Sequence, residues 1–238
     1  MLLAVILLAG IASGATASVV GFGIGSLLTP LLASQFGTPV AIAAVTIPHA
    51  AATALRCWRL RHSIDRPILI RFGLISAAGA LGGAVAYSRL GPSALTRVLG
   101  SLLLLTAMAQ LTGWSARWTP RGPVVALFGL LSGFFGGVAG NQGGLRAAAM
   151  TAFRLPPREF VATATATGLL VDLARTPVYL WSAGPSLVPL TVPIAVAAAG
   201  TLIGTLWGER ILMGLSKDAF ARLMGVAVGA LGIWLVIS

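Results

Sequence analysis

Two glycine clusters in this sequence are placed where bare backbone could bind a ligand. The first is Gly21-Phe22-Gly23-Ile24-Gly25, and the second is Gly140-Asn141-Gln142-Gly143-Gly144. Each breaks an apolar stretch and is followed by a short apolar run. A break within a membrane leaves amides without intrahelical partners, and those amides must face protein or a wet cavity. The short run that follows begins with the positive end of a helix dipole. Free amides plus that dipole favour an anion. Gly23, Gly25, Gly143 and Gly144 would supply backbone donors, and Asn141 and Gln142 side-chain donors. Arg146, in the first turn after the second break, would neutralise charge. A cation there opposes the dipole, so a bound anion would compensate it. Alternatively, the glycines only let helices pack closely, and Arg146 snorkels or pairs with an acid.

A second set of residues could couple or gate. Asp172 and Arg175 are three apart, so on a helix they share a face and are expected to pair, because an isolated charge in a bilayer is costly. His49 follows Pro48 near the middle of an apolar run, either as a proton relay or as a hydrogen-bonded packing residue. In "VATATATG", Thr163 and Thr167 share a helix face, and Thr167 falls opposite His49 when the two halves are aligned. Arg56, near a helix end, is expected to snorkel. Catalytic and metal constellations find no support. There is no His-Glu-x-x-His pair, no Gly-x-Ser-x-Gly elbow and no pair of closely spaced acids. The lone Cys57 excludes a disulfide within the chain. No cofactor and no metal is implied.

Composition dictates the elements that must hold these residues. Of 238 residues, 57% are hydrophobic and 9% charged, whereas soluble domains carry about a quarter charged residues. The expectation is an all-α polytopic membrane helix bundle of 8–10 segments in one membrane domain, residues 1–238. Apolar runs cover about 2–20, 24–35, 38–57, 68–88, 94–113, 122–139, 143–153, 158–180, 186–207 and 218–237. Eight can span. The runs 24–35 and 143–153 reach only about 15–18 Å against a core of about 30 Å. The N-terminal run has no positively charged leading region and reads as a first membrane segment rather than a signal peptide.

The short runs hold matching places in two halves, about 1–113 and 122–238. Pro39 falls on Pro157 and Gly25 on Gly143. Gly79 falls on Gly200, Gly83 on Gly204, Arg97 on Arg222 and Gly100 on Gly225. Three such stretches in the same order indicate a duplication. Net charge is +11, with arginines lying between apolar runs rather than along one polar face, which argues against nucleic acid and for the positive-inside rule. With all ten segments crossing and the N-terminus outside, the inside loops hold Arg59, Arg61, Arg66, Arg117, Arg121, Arg154, Arg158, Arg210 and Lys217. Arg89 and Arg97 lie outside, and 181–185 (WSAGP) is an uncharged outer loop. Five crossings per half make inverted repeats with paired interrupted helices, an architecture of secondary transporters that bind at the midplane; with the short runs re-entrant instead, each half crosses an even number of times and Arg210 and Lys217 fall outside, which fits the charge less well.

Each half resembles the repeat of the sulfite exporter TauE/SafE family of bacterial membrane transporters. The first copy is "GFGIGSLLTPLL" followed by "GTPVAIAAVT", and the second is "GNQGGLRAAAMTAF" followed by "LPPREFVATAT". The resemblance runs over nearly the whole chain. It departs at Met150-Thr151-Ala152, where a Pro-containing run is usual, at Arg146, and at Phe22 and Ile24 within the first cluster. It implies export of a small sulfur-containing or organic anion such as sulfite or a sulfonate across the inner (plasma) membrane. Two other readings are a membrane enzyme acting on a lipid-linked substrate, for which Glu159 and Glu209 lack partners, and a non-transporting subunit. Gly79, Gly83, Gly200 and Gly204 would join either the two halves or two copies in a homo-oligomer.

Overall fold

The protein, seen here as a computed structural model, is described over residues 1–113, 120–141, 143–212 and 217–237. Among the described residues there is no strand. In chain order the helices of eight or more residues among those described are α1 (Leu2–Val20), α2 (Ile24–Phe36), α3 (Thr38–Leu60), α4 (Leu74–Arg89), α5 (Pro92–Thr112), α6 (Pro123–Ala139), α7 (Gly143–Met150), α8 (Pro157–Leu187), α9 (Thr191–Leu212) and α10 (Lys217–Ile237). Each of the ten apolar runs holds one of them. The all-α polytopic bundle expected from composition is therefore the fold. Among the described residues, five stretches are long and apolar enough to cross a membrane, and one of these, Pro157–Gly208, contains both α8 and most of α9.

Local chemistry sets the ends of these elements. Proline stands in the first turn of α3, α5, α6 and α8, where its missing N–H is no loss. Gly21 and Gly140 terminate α1 and α6 in the left-handed conformation, with φ of 85° and 71°, which a side chain resists. The sequence misplaced one boundary. The stretch 181–185 is not a loop but part of α8, which runs to Leu187 with Pro177 and Pro185 inside it and passes through a 3-10 turn, Val188–Leu190, straight into α9. Proline is tolerated within a membrane helix because neighbours take up the freed carbonyls. The run expected to begin at 68 enters α4 through a π-turn, Leu69–Gly73.

Glycine decides how the helices pack. A Cβ on Gly83 would stand 2.0 Å from the Phe134 carbonyl oxygen, and one on Gly79 2.2 Å from that of Leu130. Thus α4 lies backbone to backbone along α6. In the same way a Cβ on Gly204 would meet the Ile11 oxygen at 2.0 Å, and one on Gly200 the Leu7 oxygen at 2.6 Å, so α9 lies along α1. Both pairs run parallel. These glycines join the first part of the chain to the second rather than facing outward. Gly100 packs on Gly232 and Val236, and Gly225 on Leu111 and Ala107, which makes α5 and α10 an antiparallel pair. At such separations van der Waals packing replaces the hydrophobic effect, which lipid does not supply between helices. The main core cluster lies between α2, α3 and α8, with Ile24, Leu28, Leu32, Ile42, Val45 and Tyr179 fully or almost fully buried.

Candidate functional site

The two glycine breaks meet. After Gly21 the chain turns and α2 folds back along α1, and after Gly140 α7 folds back along α6. The tips of these hairpins touch. A Cβ on Gly25 would stand 2.4 Å from the Gly140 carbonyl oxygen, and one on Gly143 2.2 Å from the Phe22 side chain. Ser26 donates to the Asn141 Oδ1 at 3.2 Å across the junction. Gly23 caps α2 at φ 131°, a backbone conformation that any side chain would strain. Gly144 backs onto Thr106, with a Cβ position 3.1 Å from its Oγ1. Gln142 lies outside the described residues.

Beside this junction three helices bring charged side chains into the interior. His49 Nδ1 on α3 is 2.6 Å from Asp172 Oδ2 on α8, and both residues are buried. Arg175 Nη2 lies 2.9 Å from Asp172 Oδ1, a charge contact whose angle falls short of a hydrogen bond. Arg175 Nη1 donates to the Gly136 carbonyl, and Tyr179 donates through its hydroxyl to the Gly137 carbonyl. So the last turn of α6, just before the break, is tied to α8 through two of its carbonyls, of which that of Gly136 also accepts from the Gly140 amide at 3.0 Å. The expected Asp172–Arg175 pair is present and takes in His49 as a third member. Thr167 is buried without a partner for its Oγ1, while Thr163 accepts from the Asp65 amide at 2.9 Å.

Arg146 neither snorkels nor meets an acid. It is 3% exposed, its Nη2 reaches the Gly21 carbonyl at 3.5 Å, and its Nη1 has no partner. The guanidinium lies over Gly168, where a Cβ would come within 2.8 Å of Nη1. Asn141 Nδ2 and Thr29 Oγ1 nearby are likewise buried and unpartnered. Arg56 corrects an expectation. Instead of snorkelling it is 5% exposed, with Nε and Nη1 lacking partners, because four further residues of α3 carry the helix past it. The sequence signal was available, since Arg56 falls within the apolar run 38–57. Tyr179 was also missed, although it lies one turn beyond Arg175 on the same face.

Charge makes this interior unusual. Among the described residues the buried charged groups are Arg56, Arg146 and Arg175 against the single carboxylate of Asp172. Asp172 is already engaged by His49 and Arg175. A buried unpaired guanidinium is strongly disfavoured unless an anion neutralises it. Arg56 also borders a cavity of about 620 Å³ together with Arg59, Arg158 and Thr205. The exposed arginines Arg61, Arg66, Arg71, Arg121 and Arg154 lie toward the same end of the bundle. Arg89 and Arg97 lie at the other end. No group of three or more metal-binding side chains occurs among the described residues.

Neither a curated protein nor a solved structure matches the chain. The profile of the sulfite exporter TauE/SafE family matches residues 6–235 of the 238, nearly the whole length. That match, over a bundle of apolar helices long enough to cross a bilayer several times, identifies the chain as a multi-pass membrane protein belonging to the sulfite exporter TauE/SafE family of transporters.

Proposed function

We propose that the protein exports a small anion, sulfite or a related sulfonate or organic anion, across the inner (plasma) membrane through the junction of the two hairpins. Arg146 is the principal anchor. Asn141 and Gln142 donate from their side chains, and Gly23, Gly25, Gly143 and Gly144 let backbone and ligand come close. The single observation that carries this reading is that Arg146 is buried without an acid partner, with Nη1 unused. An anion at that atom would supply the missing acceptor and charge. His49, Asp172, Arg175 and Thr167 are the coupling or gating set, since a hydrogen-bonded His–Asp pair in a membrane can carry a proton between states.

We read the halves 1–113 and 122–238 as inverted repeats. The exchanged packing supports this. α4 lies along α6 just as α9 lies along α1, and α5 pairs with α10 in antiparallel fashion. Arginines concentrated at one end support that end as cytoplasmic, with the 620 Å³ cavity opening toward it. An anion gathered there would enter from the cell interior, the direction an exporter needs.

The test is uptake of labelled sulfite by inside-out proteoliposomes. Arg146→Ala should lower transport at least about tenfold, the scale of losing a charged hydrogen bond, with the variant still folded and expressed. Arg146→Lys should recover part of it. Normal transport by folded Arg146→Ala would contradict the assignment.

A further inference from the structure

The cavity at the basic end contains a pair of side chains that the junction does not use. Arg56 on α3 and Thr205 on α9 both border it and are buried, at 5% and 4% exposure. Arg56 Nε and Nη1 and Thr205 Oγ1 make no hydrogen bond. Arg59 and Arg158, both exposed, stand at its edge. Among the described residues, two charges act on Arg56 in opposite senses. Arg146 is close enough to repel it, and the attraction of Asp172 is shared with His49 and Arg175, which contact that carboxylate directly. A buried guanidinium with unpartnered donors, on a residue that borders a cavity beside further arginines, fits an anion and little else.

We propose that Arg56 and Thr205 form a second anion station on the wall of this vestibule, taking a free small oxyanion of the sulfite or sulfate type. Arg59 and Arg158 raise the local anion concentration at the mouth, where like charges focus the field. Arg56 then takes the ion from solution and stands between the solvent and Arg146. Its recessed position behind Arg59 and Arg158 suits a free ion better than a headgroup tied to acyl chains. The inference deepens the transport reading but rests on different side chains, and its test reads binding rather than flux.

The experiment uses the full chain in a phosphate-free maltoside detergent. Ser18, which borders the same cavity without being part of the station, is replaced by cysteine in a Cys57→Ala background, and the rate of labelling by an uncharged maleimide is followed as sulfate is added. Sulfate should slow labelling several-fold and saturably. Arg56→Gln should abolish this protection, and Arg56→Lys should retain part of it. Thr205→Val should raise the sulfate concentration for half-protection by at least about tenfold, the scale of one lost hydrogen bond to a charged group. Because Arg56 Nε and Nη1 have no partners to lose, Arg56→Gln is expected to fold, and Thr205→Val tests the same station if it does not. The proposal is overturned if sulfate gives no protection, if protection is undiminished in Arg56→Gln or Thr205→Val, or if phosphatidylglycerol protects and sulfate does not. A chain that transports no sulfite but keeps Arg56-dependent protection would overturn the transport reading and leave the station standing.

Discussion

Removing the charge of Asp172 should destabilise the protein more than any other single isosteric change. Asp172 is fully buried, 2.6 Å from His49 and 2.9 Å from Arg175. At 2.9 Å and an effective dielectric of about 20, the attraction to Arg175 is about 6 kcal/mol before desolvation is counted. Much of that offsets the cost of burying both groups, so the net worth of the pair is small. Deleting one partner is different, because it leaves Arg175 buried at 1% exposure with no counter-charge, and the typical loss is about 3–5 kcal/mol. Arg56 and Arg146 raise the loss further, since Asp172 is the buried carboxylate that offsets them among the described residues. Unfolding by sodium dodecyl sulfate in mixed micelles, followed by tryptophan fluorescence, would measure Asp172→Asn, Arg175→Gln and the double variant. The double variant should be more stable than the sum of the singles predicts by at least about 1 kcal/mol. Asp172→Asn within about 1 kcal/mol of the original protein, or a strictly additive cycle, would refute the reasoning.

Other outcomes follow from the packing and the charge set. Gly83→Ala and Gly204→Ala each place a Cβ 2.0 Å from a backbone oxygen of the facing helix, so each should cost about 1–3 kcal/mol in the same unfolding assay. Gly82→Ala, whose Cβ meets nothing within 4 Å, should be neutral or slightly stabilising. Equal effects at all three positions would contradict the close helix pairs. His49→Asn should leave residual sulfite flux that no longer responds to an imposed pH gradient, if His49 and Asp172 carry the coupling proton. A full gradient response in that variant would remove His49 from the coupling set.

Much of the fold was legible because the bilayer allows little else. Among the described residues each of the ten apolar runs holds a helix, and Gly79, Gly83, Gly200 and Gly204 mark close helix contacts. What the sequence left open was the partner of each glycine face, since Gly-x-x-x-Gly spacing says only that something comes close. The facing chains, α6 and α1, are set by the whole bundle. The outer loop at 181–185 was misread because Gly184 and Pro185 are turn residues in water, whereas in a membrane helix proline is tolerated. The Asp172–Arg175 pair followed from helical spacing. His49 joins it from 123 residues away in sequence, and no local pattern encodes that contact. Arg56 was misjudged because its distance from the helix end, not its type, decides whether it reaches the headgroups.

The central claim is that this chain alone carries a small anion through the junction beside Arg146. Its most direct test is labelled sulfite flux into proteoliposomes holding only the purified protein, with and without an imposed pH gradient. The account predicts protein-dependent flux that the gradient alters and that Arg146→Ala suppresses. Flux no greater than in empty liposomes, for sulfite and for a panel of sulfonates and organic anions, would contradict it.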